Sequence, residues 1–372
     1  MSNKSQSEIL EYRARRAAVA QALQAHNIDM MFVTPSADLT YLTGYQALPL
    51  ERLTCLALRS DGSSWLIVPT LERPAAEAHD VQAQGLTLLD WRETQDPYEL
   101  LRSATGTVKS AAVNNVMWVE KAWHLQEAFD IRVGLANTLL ADIRAIKTPA
   151  EIAALHEAGA AIDQVHSQMA SWLKAGRTER EVGQDIARAI TEVGHATVDF
   201  VIVASGPNGA SPHHEVSDRV INKGEAVVVD IGGTMPSGYC SDSTRTYTVG
   251  DAGNDYRNKY AALKHAQQAA VDFARPGVTC ESVDQVARDI LTDAGLGEYF
   301  IHRTGHGIGL ETHEEPYIVS GNQTQLAIGH AFSIEPGFYI PGLYGARIED
   351  IVTCGPSGVA SANNTSHDLV EL

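Results

Sequence analysis

The stretch Val227-Val228-Val229-Asp230-Ile231-Gly232-Gly233 sets the strictest condition on how this chain can fold. A short β-branched apolar run reads as a buried strand, yet this one ends in a carboxylate. After a Gly/Pro/Ser turn the chain returns as Gly238-Tyr239-Cys240-Ser241-Asp242-Ser243-Thr244-Arg245, a second strand-like run with a second carboxylate. Aspartate is a poor strand former and costs free energy when buried without a partner. Two of them in one apolar hairpin ask for a cation, and the other ligands must come from elsewhere in the chain. Strand alternation puts Asp242 on one face with Thr244 and Thr246, and Glu349 on one face with Arg347.

A weak internal repeat shows where to look. Gly176-Arg177-Thr178 followed by Ile186-Ala187-Arg188-Ala189-Ile190 resembles Gly277-Val278-Thr279 followed by Val286-Ala287-Arg288-Asp289-Ile290. A long helix precedes each copy, over 149–174 and about 254–273, and strands follow it. Thr148-Pro149-Ala150-Glu151 opens the first long helix as a capping box with proline at its first turn, and Gly176 stops it. Thr178-Glu179-Arg180-Glu181 caps the next helix, which runs to about Val193. Each copy ends in two carboxylates on neighbouring strands, Asp230 with Asp242 and Glu335 with Glu349. Two such halves bring four acids together about a pseudo-twofold axis.

The 372 residues exceed what one core usually serves, so two domains are expected. Residues 1–143 read as a small α/β domain. It has a helix over 8–27 and strands over 30–34, 55–58, 65–68, 86–89, 110–113 and 116–119. Helices around 71–79, 98–104 and 121–129 alternate with the later strands. It carries no phosphate loop and no cluster of metal-ligand types, which leaves it a structural or assembly role. Residues 144–372 form the second domain. A formal charge of −18 argues against a nucleic-acid or anionic-membrane partner. Arg13 to Arg16 is the densest basic run, and Glu8 and Glu11 accompany it on a solvated helix face. The four cysteines are scattered, as expected of free thiols in a reducing compartment. With no signal-peptide core at the N-terminus, the cytoplasm is the expected location.

Glu335 lies in Ser333-Ile334-Glu335-Pro336-Gly337, where proline ends a strand. Gly305-His306-Gly307-Ile308-Gly309 lies between the halves, and its small residues allow close backbone approach. Four carboxylates and one imidazole can hold two divalent cations, and oxygen-rich ligation disfavours a thiolate-type zinc site. Such a pair activates water and polarises a carbonyl, which is hydrolytic chemistry.

Five segments in order carry a resemblance. They are Gly206-Pro207-Asn208-Gly209-Ala210-Ser211-Pro212-His213, the pair Asp230 and Asp242, His302 through Glu314, Ile334-Glu335-Pro336-Gly337, and Arg347-Ile348-Glu349-Asp350. From Arg144 to Gly355 the chain resembles the pita-bread metallopeptidases, the family of methionine aminopeptidase, aminopeptidase P and prolidase. It looks most like the proline-specific branch, whose creatinase-like N-terminal domain residues 1–143 also resemble. The resemblance implies an α+β pita-bread catalytic domain with duplicated halves. It implies that Asp230, Asp242, His306, Glu335 and Glu349 are ligands to two divalent ions per subunit, manganese first, with cobalt, zinc or iron as alternatives. Asp242 and Glu349 would bridge the ions, and Glu335 would take the proton from the attacking water. His213 and His313 would contact the scissile peptide, His302 would line the substrate pocket, and Arg347 would brace the bridging acids. The implied activity is hydrolysis of the Xaa-Pro bond of dipeptides or short peptides, by a homodimer.

Two departures from the family pattern stand out. The step from Asp230 to Asp242 is twelve where eleven is usual. Thr234-Met235-Pro236-Ser237 absorbs the extra residue at the turn, whereas a slip within either strand would turn its acid away. Tyr317 stands where some prolidases carry an arginine for the dipeptide carboxylate, which leaves aminopeptidase P action on longer peptides as the alternative. A creatinase-like hydrolase or a lyase on the same fold, and a non-enzymatic binding module, rank lower because the five ligands are complete. His214 reads as a loop residue, His156, His166, His195 and His265 as structural, and Glu311, Glu314 and Glu315 as local hydrogen-bonding groups.

Overall fold

The computed structural model describes residues 5–372, and the chain divides into two compact units, Met1–Arg144 and Ala145–Leu372. In the first unit, helix α1 (Gln6–Ala25) starts on a capping box between Ser5 and Glu8. There follow β1 (Met30–Val33), α2 (Ala37–Thr43), β2 (Cys55–Arg59), β3 (Ser64–Pro69), α3 (Arg73–Glu77) and β4 (Thr87–Trp91). The unit ends with α4 (Pro97–Thr105), β5 (Ala111–Val113), α5 (Val119–Phe129), β6 (Val133–Leu135) and α6 (Asn137–Ala145). The strands form one sheet in the order β4-β3-β2-β1-β5-β6. All four residues of β1 are buried, the pattern of a strand covered on both faces.

The strand expected over 116–119 does not form. Met117 N–H instead closes a turn on the Asn114 carbonyl at 3.1 Å, and α5 begins at Val119. Strand β5 pairs in parallel with both neighbours, β1 and β6. A parallel neighbour needs a crossover, and here that crossover is α5.

The second unit opens with α7 (Pro149–His166), α8 (Met169–Trp172) and α9 (Glu179–Glu192), followed by β7 (Thr197–Ser205), β8 (Ala226–Thr234) and β9 (Cys240–Thr248). The helix expected over 149–174 breaks after His166. The Ser167 hydroxyl and the Gln168 amide both bond back to the Gln164 carbonyl, at 2.7 and 3.2 Å. Side chains that compete with the backbone in this way loosen a helix. The second half holds α10 (Gly253–Phe273), α11 (Cys280–Asp293), β10 (Gly305–Gly307), β11 (Glu314–Ile318) and β12 (Ala331–Ile334). It ends with β13 (Gly337–Ile340), β14 (Tyr344–Arg347), β15 (Asp350–Gly355), β16 (Gly358–Ser361) and β17 (Val370–Glu371). One sheet runs β17-β9-β8-β7 and another β11-β10-β12-β15-β16, with β13-β14 a separate hairpin. A core centred on Ile162, Ile186, Val203 and Val229 serves the first half, and one centred on Leu263, Leu291, Phe332 and Val352 serves the second.

The repeat has a structural counterpart at each copy. Gly176 and Gly277 take φ of 93° and 90°, the left-handed region open to glycine. Their N–H groups donate to the Ile221 and Leu326 carbonyls at 2.9 and 2.8 Å. Thr178 and Thr279 cap the next helix, and each forms an isolated bridge, to Val220 and Gln325.

His166, at the end of α7, is buried with Nδ1 3.0 Å from the Tyr247 hydroxyl and Nε2 3.2 Å from the Ser243 carbonyl. Burial, helped by the Arg245 charge, pushes its imidazole down to about 3. The folded state therefore binds fewer protons than the unfolded chain, whose histidine titrates near ~6.5. Its contribution to stability is complete above that value and is lost as pH falls towards 3. At pH 7.5, His166→Gln should cost about 1–3 kcal/mol by leaving buried polar groups unpaired. The gap to wild type should narrow on going to pH 4.5 in denaturant titrations. A gap that stays constant with pH would contradict this account.

Candidate metal centre

The β8–β9 ladder settles which way the two aspartates point. Asp230 lies opposite Thr244, and Asp242 lies opposite Gly232. Residues opposite one another share a face, as do residues two apart, so both carboxylates project to the same side. The extra residue is taken up in the turn, where Gly238 N–H bonds to the Met235 carbonyl at 2.8 Å. Gly232 is needed because a Cβ there would lie 2.5 Å from the Phe200 ring.

The second half delivers its groups to the same place. Glu335 follows the end of β12, and its N–H donates to the Thr304 carbonyl at 2.7 Å. Glu349 was expected to share a strand face with Arg347. It falls instead between β14 and β15, bridged to Thr244: its N–H donates to the Thr244 carbonyl at 3.1 Å, and the Thr244 hydroxyl donates to its Oε2 at 2.8 Å. His306 sits at the centre of β10. A Cβ on Gly305 would lie 1.9 Å from the Ser333 carbonyl oxygen, and one on Gly307 2.2 Å from that of Glu315. The glycines flanking His306 thus let β10 fit between β11 and β12.

Nε2 of His306 lies 3.3 Å from Glu335, 3.6 Å from Asp242 and 3.9 Å from Glu349. Ligand-type atoms of Asp230, Asp242 and Glu349 fall within 4.8 Å of one another, as do those of His306, Glu335 and Glu349, and those of Asp242, His306 and His313. Asp230 Oδ1 and Glu349 Oε1 are buried with no hydrogen-bond partner. Burial, then the charges of Glu349, Asp230 and Glu335, pushes the Asp242 carboxyl well above its ordinary range. Glu349 is raised in the same way, by burial and then by Glu335 and Asp230, and burial takes Glu335 to about 7. Among the described residues, the only guanidinium bonded to these acids is that of Arg347, which reaches Asp230 at 2.6 Å and touches Glu349 through Thr244. Orphaned carboxylate oxygens around an imidazole forced neutral by burial form a donor set that fits divalent cations.

A cavity of about 800 Å³ opens over this cluster and is lined also by His213, His302, Arg303 and His313. The His306 and His313 ring centroids are 4.1 Å apart. His302 bonds to the Tyr339 hydroxyl at 2.9 Å, and burial with the Arg347 charge nearby drives its imidazole down to about 3. His214 turns towards Glu179, at 2.8 Å. His156, His166 and His195 bond to Thr353, Tyr247 and Ser241.

Sequence reasoning missed four contributors. Glu179, read only as part of a helix cap, is fully buried and accepts bonds from Ser205, Asn208, His214 and Ser217. It thereby ties down the loop that bears His213. Tyr339 holds both His302 and Arg347, the latter at 2.7 Å. The Ser333 hydroxyl accepts the His306 N–H at 3.0 Å and donates to Glu335 at 3.1 Å. Of these, only Ser333 had a local signal, its place two residues before Glu335. Arg303 is the fourth.

A carboxylate-rich cage between duplicated halves, beneath a histidine-lined cavity, defines a metal-dependent hydrolase of the pita-bread architecture. The chain belongs to metallopeptidase family M24, whose model matches residues 153–356, and residues 15–146 match the creatinase/prolidase N-terminal domain. It is 49% identical over 362 residues to a probable dipeptidase PepE of Mycobacterium tuberculosis, covering 97% of this chain and 96% of that one. It is 36% identical over 360 residues to a Xaa-Pro dipeptidase of Lactobacillus helveticus, covering 94% and 96%. The crystal structure of dipeptidase PepE from Mycobacterium ulcerans superposes with a TM-score of 0.94 at 48% identity, covering 99% of each chain.

The cage should bind ions even where no reaction is followed. Mn²⁺ at 100 times its dissociation constant should stabilise the folded chain by about 2.7 kcal/mol, read as a rise in melting temperature. Asp242→Asn should melt higher than wild type in chelator, because one of the mutually repelling acids is neutralised, and should lose most of the Mn²⁺-induced rise. A variant that melts lower than wild type in chelator and keeps the full Mn²⁺ response would remove Asp242 from the cage.

Proposed function

We propose that this chain is a dinuclear metal-dependent exopeptidase that hydrolyses the Xaa-Pro bond of dipeptides. The observation that carries the reading is the convergence of Asp230, Asp242, His306, Glu335 and Glu349 beneath the cavity lined by His213, His302 and His313. Those five groups would hold two divalent ions. Manganese suits the four carboxylates and single imidazole. Bound divalent ions supply polarisation of a carbonyl and a water acidified towards neutral pH.

The chain's own residues do the rest. Glu335 takes the proton of the attacking water, held for this by the Ser333 hydroxyl on its Oε1. His313 and His213 donate hydrogen bonds to the oxygen on which negative charge develops. His302, kept neutral by burial and oriented by Tyr339, shapes the wall of the proline pocket. Arg347 holds Asp230, and through Thr244 Glu349, in position. Proline is released once its nitrogen is protonated. The names of the Mycobacterium and Lactobacillus relatives support a dipeptide substrate. Tyr317, at the position of a carboxylate-binding arginine in some prolidases, favours a second reading, action on longer Xaa-Pro peptides. Four buried free cysteines support a cytoplasmic location, and a homodimer is the assembly we propose.

Proline release from several Xaa-Pro dipeptides and one longer Xaa-Pro peptide tests this directly. Activity is expected with Mn²⁺ and should disappear in chelator. His313→Ala should lower kcat by about 100- to 1000-fold, the range for losing one donor to a developing oxyanion. If Mn²⁺-loaded protein cleaves no Xaa-Pro bond, the reading is wrong.

A further inference from the structure

Asp230, Asp242 and His306 stand inside strands, but Glu349 falls between β14 and β15, where no ladder runs past it. Its backbone meets the first half through an isolated bridge to Thr244. One face of that bridge looks into the cage, where the Thr244 hydroxyl donates to Glu349 Oε2. The other face belongs to Arg245.

Strand alternation sends Arg245 to the opposite side of β9 from Asp242, Thr244 and Thr246. There it is buried, and Nη1 donates to both carbonyls of the bridge, that of Thr244 at 2.9 Å and that of Glu349 at 2.7 Å. Nη2 donates to Asp350 Oδ1 and to the Thr365 carbonyl, each at 2.7 Å. Nε is shared between the Thr365 and Ser366 carbonyls at 3.2 Å. All three nitrogens of the rigid fork are therefore engaged at once, a span that an ammonium group cannot reproduce.

The segment that receives Arg245 is itself tied to the long helix of each half. The Thr365 hydroxyl donates to Asp163 on α7 at 2.8 Å, and the Tyr260 hydroxyl on α10 donates to the His367 carbonyl at 3.1 Å. His367 Nε2 lies 2.7 Å from Asp350 Oδ2, and Ile351 N–H donates to Asn363 at 2.9 Å. Residues 363–367 thus form a fixed backing behind residues 349–351. Arg245 is not among the described residues that line the cavity, so its influence on the site passes through backbone. A ligating carboxylate must stand within about 0.5 Å of its working position, and the main chain of Glu349 decides where it stands.

We propose that Arg245 is a positioning residue for the metal centre: it fixes the main chain of Glu349 and so sets how tightly the cage binds divalent cations. This rests on the ligand set given under Proposed function. An arginine that served packing alone would lower stability when replaced and leave the metal affinity of the folded chain unchanged.

The experiment titrates the full chain with Mn²⁺ at room temperature and reads the free ion by its paramagnetic resonance signal, with circular dichroism to establish that each variant is folded. Arg245→Lys keeps a charge beside Asp350 but cannot hold Glu349 and Thr365 together. It should weaken Mn²⁺ binding by about 10- to 100-fold, the range for outer partners of a metal ligand. Thr365→Val combined with Tyr260→Phe loosens the backing and leaves the guanidinium in place. This double variant should weaken binding by about three- to tenfold. Wild-type affinity in folded Arg245→Lys would overturn the assignment, whatever its melting temperature. If the lysine variant does not fold, wild-type affinity in the double variant would do the same. Wild-type chain that binds no Mn²⁺ would instead overturn the metal centre itself.

Discussion

The fold converges on Thr244. In the β8–β9 ladder it lies opposite Asp230, and across the seam between the halves it bridges to Glu349. Its hydroxyl accepts from the Arg347 side chain and donates to Glu349 Oε2. Thr246, next on the same face, repeats the arrangement with the Arg347 backbone in both directions, at 2.9 and 3.1 Å. These contacts set the acids of the first half against those of the second. A one-residue slip of β9 would turn Asp242, Thr244 and Thr246 away from the seam together. The strict placement of that strand is therefore a condition for both the fold of the second unit and the cage it encloses.

The cage is costly to build. Asp230, Asp242, Glu335 and Glu349 share a buried space with one guanidinium bonded to them among the described residues, and burial disfavours the charged forms of Asp242, Glu335 and Glu349. Removing one partner of a buried ion pair costs about 3–5 kcal/mol, because the remaining charge has no compensation. Packing elsewhere in the unit must offset the repulsion among these acids whenever no cation is bound. The separate cores of the two halves supply that packing, and in the first of them Val227, Val229 and Ile231 pack against the helices from the face of β8 opposite Asp230. A site that is repulsive without its ligand can remain formed because the surrounding cores are rigid enough to hold the acids in place.

Much of this was legible in the sequence, for a definite reason. Asp230 and Asp242 violate strand chemistry inside strands that are otherwise ideal, and such violations mark function. The repeat was legible because both copies use the same turn, a left-handed glycine followed by a capping threonine. The site's supports were harder to read. Glu179 looks like any acid in the first turn of a helix, and only the folding back of residues 205–217 makes it a buried acceptor. Tyr339 acts through His302 and Arg347, so no local spacing marks it. The break at His166 was missed because helical periodicity continues through Ser167 and Gln168. The expected strand over 116–119 failed because an apolar run of four does not reveal that the strand before it is parallel to both neighbours.

The two halves also secure their histidine-bearing segments by the same physical means. In the first, Glu179 at the start of α9 gathers Ser205, Asn208, His214 and Ser217, and so fixes the loop that carries His213. In the second, Asp284 on α11 accepts from Thr304 N–H and hydroxyl and pairs with Arg288, which donates in turn to the Phe300 and His302 carbonyls. Both acids are fully buried, and each reaches from its helix to a segment beside the cavity, residues 205–217 in the first case and Thr304 in the second. A buried carboxylate with every lone pair occupied holds a loop more firmly than apolar contact can, because displacing the loop strands a charge. The cavity wall is therefore fixed from two sides by the helices behind it. His213, His302 and Arg303 are held on this anchored backbone, with side chains that line the cavity.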